Sequence, residues 1–214
     1  SILDIVATSK VNVVTIEDPV EYQMKGVNQV QVNVQAGLTF ASALRSFLRQ
    51  DPNIIMVGEI RDSETADLAI NAALTGHLVF STLHTNDASG VPPRLLDMGA
   101  EPFLLVSSLN CVVGQRVLRR VCKDCVSQSE ISPDQEKELK ETLGPIYNLI
   151  EDKYKKEGKK MMLPKIVGCE KCNNTGYMGR IAIYEVMPVS EKLSKLIIEK
   201  AAAAEIQKQA MDEG

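Results

Sequence analysis

The chain has 214 residues, 44% of them hydrophobic and none of them Trp, with 24 basic against 28 acidic side chains and a net charge of −4. That length suits one substantial core with a small accessory module, and the mildly acidic balance argues against a nucleic-acid backbone as partner. No apolar run approaches the ~20 residues that span a bilayer, and no basic-then-apolar leader opens the chain, so the sequence reads as neither secreted nor membrane-spanning.

Ile2, Leu3, Ile5 and Val6 predict an opening helix, and a start at Ser1 inside that helix predicts that further residues lie upstream. Val11 to Ile16 is an almost unbroken β-branched run suited to a strand covered on both faces, ending at Glu17-Asp18-Pro19. From Val27 to Val34 apolar and polar residues alternate, which predicts a half-exposed peripheral strand. Phe40 to Gln50 spaces Ala43, Leu44, Phe47 and Leu48 at helical intervals and sets Arg45 and Arg49 on one face.

Ile54 to Val57 predicts a second buried strand closed by Gly58-Glu59, and Ser63 and Gly76 bracket the helix that follows. Leu78 to Leu83 predicts a third buried strand, delivering His84, Thr85 and Asn86 at its end. Helical segments are expected around Pro93–Met98 and Phe103–Val121, with Cys111 a buried, inert thiol in the latter. Pro133 to Lys160, rich in Glu and Lys, reads as a solvated helical excursion. A strand near Arg180–Val186, a helix capped by Ser190 and a final helix from Ala201 complete the chain. Strands alternating with helices predict an α/β domain with a mainly parallel sheet, whose ligands sit beyond the carboxyl ends of the strands.

All three predicted buried strands end in ionisable groups: Glu17 and Asp18, then Glu59, then His84. One acid at a strand end is usually just solvated, but three such ends meeting at one sheet edge suggest a site. An apolar strand that holds a carboxylate, as in Ile54–Glu59, fits the Walker B device, in which a rigid strand fixes an acid near Mg²⁺ and nucleotide phosphates.

The cysteines carry a separate signal. Cys122-Lys123-Asp124-Cys125 and Cys169-Glu170-Lys171-Cys172 each have the two-residue gap that lets two thiolates grip one tetrahedral zinc ion. The second pair begins 44 positions after the first ends, and the charged excursion between them can loop out. Four protein ligands leave no open coordination position, so the expected zinc is structural.

The string Leu48-Arg49-Gln50-Asp51-Pro52-Asn53-Ile54-Ile55-Met56-Val57-Gly58-Glu59-Ile60-Arg61-Asp62 closely resembles the signature of the type II secretion and type IV pilus assembly ATPase family. Val14-Thr15-Ile16-Glu17-Asp18-Pro19-Val20-Glu21-Tyr22 is similar to its Asp box, and Leu74 through Asn86 to its His box. The cysteine pairs after the His box favour the assembly and secretion branch over the retraction motors.

The resemblance implies a RecA-like P-loop NTPase core over residues 1–114, a tetracysteine zinc-binding subdomain with a charged helical insert over 115–187, and C-terminal helices over 188–214. It implies ATP, Mg²⁺ and Zn²⁺ as cofactors and a homo-hexamer acting on an inner-membrane platform protein, with no nucleic acid and a cytoplasmic place peripheral to the inner face of the plasma membrane. Glu17 would polarise the attacking water, Glu59 would hold Mg²⁺, and His84 would contact the γ-phosphate with His77 supporting the same edge. The reverse division of Glu17 and Glu59 stays open on the residues alone. Asp18, Arg45, Arg49 and Arg61 are candidates for the nucleotide and subunit interface, the three arginines each equally explicable as a surface ion pair.

One departure stands out: the sequence contains no Gly-x-x-x-x-Gly-Lys-Ser/Thr phosphate loop. The opening helix would be the distal half of the phosphate-loop helix, and the chain by itself is expected to bind ATP poorly. The other readings are a zinc-ribbon nucleic-acid module using Arg116, Arg119, Arg120 and Lys123, or another RecA-like DNA motor.

Overall fold

The structure, a computed structural model, describes residues 2–214. The chain opens with α1 (Ile2–Val6), β1 (Val13–Glu17), β2 (Asn28–Gln31), α2 (Phe40–Phe47), β3 (Ile54–Val57), α3 (Ser63–Leu74), β4 (Leu78–Ser81), α4 (Val91–Asp97) and α5 (Pro102–Ser108). It continues with β5 (Cys111–Val121), β6 (Ser127–Glu130), α6 (Pro133–Leu143), α7 (Pro145–Lys156), β7 (Met162–Lys165), β8 (Tyr177–Pro188), α8 (Glu191–Ile198) and α9 (Ala203–Glu213). Two compact units result, one of residues 1–115 and 184–214, the other of residues 116–183.

The first unit is built on a four-stranded parallel sheet in the order β2-β1-β3-β4. Side chains alternate across a strand, so β1 divides its residues between two layers. Val14 and Ile16, with Ile55 and Val57 of β3, face α2 and α3 and cluster with Ala43, Leu44, Phe47, Ala66 and Ile70. Val13 and Ile54 face the other way and cluster with Leu3 of α1, Met56 and Phe80. Burying an aliphatic side chain of this size contributes about 1.5–3 kcal/mol, which makes the β1–β3 pair the stable centre of the unit. Leu193, Ile197 and Ile206 add α8 and α9 to the larger layer.

The parallel α/β class matches the sequence reading; several details differ. The third strand, β4, is an edge strand with Leu78 43% exposed, because only β3 pairs with it among the described residues. Asp62, not Ser63, caps α3, its carboxylate accepting from Thr65 N at 2.8 Å. Phe103–Val121 is not one helix: α5 ends at Ser108, and the β-branched Val112, Val113, Val117 and Val121 carry the chain as a strand. Cys111 begins that strand and is exposed, not buried. Helix α2 ends at Phe47, so Arg49 lies beyond it and does not share a helical face with Arg45.

In the second unit, β6 and β7 pair antiparallel, and α6 and α7 form the charged hairpin between them. A capping box of Ser132 and Gln135 starts α6. Tyr147 is 2% exposed; its ring lies under the Lys140 ammonium and its hydroxyl donates to Glu136.

Candidate functional site

The parallel sheet sends β1, β3 and β4 out at one edge, where their exit loops meet. Gly58 makes the approach possible. Its amide donates to the Ile16 carbonyl at 2.8 Å, and a Cβ there would sit 3.0 Å from that carbonyl oxygen and 3.3 Å from Glu17 Cα. Gly58→Ala would push the β1 and β3 exits apart. We expect a destabilisation of about 1–3 kcal/mol, the usual cost of overpacking, read as a lowered midpoint in denaturant; an unchanged midpoint would show that the backbone gives freely.

The turn carrying Glu59 is clamped from β4. Thr82 Oγ1 donates to the Gly58 carbonyl at 2.7 Å, and the Ile60 amide donates to the Thr82 carbonyl at 3.0 Å. Held so, the Glu59 carboxylate meets Arg61 Nη2 at 2.6 Å on one oxygen and His84 Nε2 at 3.1 Å on the other. An ionised carboxylate only accepts, so His84 carries its proton on Nε2 in this contact.

Arg61 foremost, and His84 after it, hold the Glu59 carboxyl below its ordinary 4.5 against the opposing effect of burial. The stability linked to this shift is present above the ordinary value and is lost as pH falls through the depressed one. Asp18 adds its charge to that of Glu59 around Arg61.

Glu17 stands at the end of β1, beside this group, with its own partners. Thr15 Oγ1 donates to Glu17 Oε1 at 2.6 Å, and Gln29 Nε2 donates to the same oxygen at 3.0 Å. Beyond His84, Asp87 caps the turn at Ala88–Gly90 by accepting from Gly90 N and Ser89 Oγ, both at 2.8 Å.

The edge thus gathers Glu17, Asp18, Glu59, Arg61 and His84. His77 does not join it: it precedes β4 and lies at the opposite end of that strand. Its Nδ1 is 2.9 Å from the Ala72 carbonyl and 3.2 Å from Thr75 Oγ1, a contact that closes α3. Arg45 pairs with Glu64 of α3. Arg49 is exposed next to Gln50, whose carbonyl accepts from Asn12 before β1, which puts it at the amino edge of the sheet. Thr15, Gln29 and Thr82 were not singled out from the sequence. Thr15, a polar residue in an otherwise apolar buried strand, carried the one available signal.

In the second unit Cys122, Cys125, Cys169 and Cys172 bring their sulfurs within 4.8 Å of one another. Sulfur separations of 4.0 Å (Cys122–Cys169), 3.8 Å (Cys125–Cys172) and 3.7 Å (Cys169–Cys172) are far too long for disulfides. They match the edge of about 3.8 Å that a tetrahedron with metal–sulfur bonds of ~2.3 Å requires.

The cluster is electrostatically uneven. Burial pushes the Cys125 thiol up to about 12. The same penalty acts on Cys172, but the amides of Cys169 and Gly176, each 3.2 Å from its sulfur, outweigh it and bring Cys172 down to about 6. Four sulfurs at tetrahedral spacing make a donor set that fits a soft divalent metal.

A family model described as "Type II/IV secretion system protein" matches residues 1–214. The chain belongs to this family. Within the family it is 52% identical over 200 residues to the type IV pilus assembly ATPase PilB of Myxococcus xanthus, an overlap of 94% of this chain and 33% of that protein. It is 50% identical over 214 residues to PilB of Thermus thermophilus (100% and 23%) and 46% identical over 201 residues to the type II secretion system ATPase E of Vibrio cholerae (94% and 37%). The chain therefore spans about a third or less of the length of the first two.

Among solved structures, that of the pilus retraction motor PilT with bound ADP superposes with a TM-score of 0.60 at 28% identity, covering 97% of this chain and 46% of that one. The Legionella pneumophila ATPase DotB gives 0.58 at 21% identity (99% and 46%) and supports the fold alone. Among the described residues no helix is long and apolar enough to cross a membrane.

Proposed function

We propose that this chain is the hydrolytic part of a RecA-like motor subunit that uses ATP to power type IV pilus assembly or type II secretion through an inner-membrane platform protein. The observation that carries the reading is the contact of Glu59 with both Arg61 and His84 at the carboxyl edge of a parallel sheet, with Glu17 on the adjacent strand. Membership of the family and the PilB and ATPase E relatives support it. The intact protein would act as a homo-hexamer at the cytoplasmic face of the inner membrane.

In this mechanism Glu17 polarises the attacking water and takes up its proton. Glu59, held ionised by Arg61, is suited to a cation rather than to base chemistry, since a depressed pKa makes a poor proton acceptor. It would hold Mg²⁺, which when bound would supply charge neutralisation for the phosphates. His84 reaches the γ-phosphate. Asp18 and Arg61 tune this edge, and Arg45 and Arg49 are candidates for reaching a neighbouring subunit. The four cysteines hold a structural Zn²⁺.

ATP turnover of the intact protein in Mg²⁺ tests the reading. Stimulation by the cytoplasmic part of the platform protein, with indifference to DNA, is expected. Stimulation by DNA alone would put the chain among DNA motors instead.

A further inference from the structure

Glu17 is more tightly arranged than a solvated carboxylate at a strand end. In the parallel register of β1 and β2, Thr15 pairs with Gln29, so Thr15, Glu17 and Gln29 rise from the same side of the sheet, the layer that α1 covers. Thr15 is fully buried, and its hydroxyl donates to Glu17 Oε1 at 2.6 Å. Gln29 is half-buried, and its amide nitrogen donates to that same oxygen at 3.0 Å.

Gln29 is itself locked. Its Nε2 also donates to the Tyr22 carbonyl at 2.9 Å, and its Oε1 accepts from the Met24 amide at 2.6 Å. All three bonds use the side-chain amide, so the rotamer that serves Glu17 is also the one that pins the 22–24 turn. Both donors converge on Oε1, which fixes the plane of the carboxylate and leaves Oε2 to be presented.

We propose that Gln29, together with Thr15, is a positioning residue for Glu17, holding Oε1 so that Oε2 is the oxygen that meets the attacking water. The proposal rests on Glu17 having the role given above. A carboxylate so oriented needs no reorganisation when water arrives, whereas one free to rotate must give up that freedom in the transition state. A positioning loss is therefore felt in kcat rather than in nucleotide binding.

Two substitution pairs in the intact ATPase test this. Thr15→Val keeps the β-branched shape and removes the donor, while Thr15→Ser restores a hydroxyl; Gln29→Leu removes the amide, while Gln29→Glu keeps the length without the donor. Thr15→Val, Gln29→Leu and Gln29→Glu should each lower kcat by about 10-fold or more with KM for ATP within about 2-fold, and Thr15→Ser should recover most of the loss. Thr15→Val guards against a Gln29 variant that fails to fold.

Full kcat in folded Thr15→Val and Gln29→Leu proteins, with Glu17→Gln inactive, would overturn the positioning role while leaving Glu17 in place. Normal turnover by Glu17→Gln would overturn the underlying reading. A rise in KM with kcat unchanged would assign Gln29 to nucleotide binding and overturn the proposal.

Discussion

Glu17→Gln in the intact protein is expected to lower kcat for ATP hydrolysis by about 10²- to 10⁴-fold, the range that a positioned general base supplies. The amide is nearly the same size as the carboxylate, and its carbonyl oxygen can still accept from Thr15 and Gln29, so fold and nucleotide affinity should be kept. What is lost is the charge that orients the water and the capacity to take its proton. Steady-state turnover with a parallel nucleotide-binding titration separates the two. Glu59→Gln gives a contrasting pattern, a raised Mg²⁺ requirement, because the amide lacks the negative charge proposed to hold the ion; it also gives up the ion pair with Arg61. Wild-type turnover in Glu17→Gln would remove the assignment.

Stripping the proposed Zn²⁺ from the tetracysteine cluster, or replacing Cys172 by Ser, should unfold residues 116–183 while the four-stranded sheet persists. Structural zinc sites supply on the order of 10–16 kcal/mol at neutral pH in isolated peptides, as large as the ~5–15 kcal/mol that holds a whole domain folded. Cys172 is the most informative position, being 5% exposed and the target of two amide donors. Hydrogen exchange read segment by segment should show protection lost between 116 and 183 and retained in β1 and β3. Because thiolates must be deprotonated to bind, acid should act in the same direction as a chelator. Purified protein containing no zinc, or a chelated sample with unchanged exchange, would contradict the structural role.

Much of this was legible from residue order. The Val13–Ile16 and Ile54–Val57 runs sit in the middle of a parallel sheet, as their predominantly apolar character required, and paired Cys-x-x-Cys spacing announced a four-sulfur cluster. Position 103–121 misled because the helical spacing of Leu105, Val106 and Leu109 runs without a break into valines that favour a strand. His77 misled for a topological reason: proximity in sequence to His84 does not help when a whole strand separates the two. Gln29 could not have been found, since its link to Glu17 depends on how β2 registers against β1, and register is a tertiary fact.

The lateral strands differ in what they offer a neighbour. The β2 side is studded with Asn28, Gln29 and Gln31, a polar border, whereas β4, of equal length, carries Leu78, Val79 and Phe80 along a row of backbone groups that no described strand satisfies. Such a border is adhesive towards any extended polypeptide. In a preparation of these 214 residues by themselves, that flank would be an adhesive one, unlike the acidic and lysine-rich hairpin.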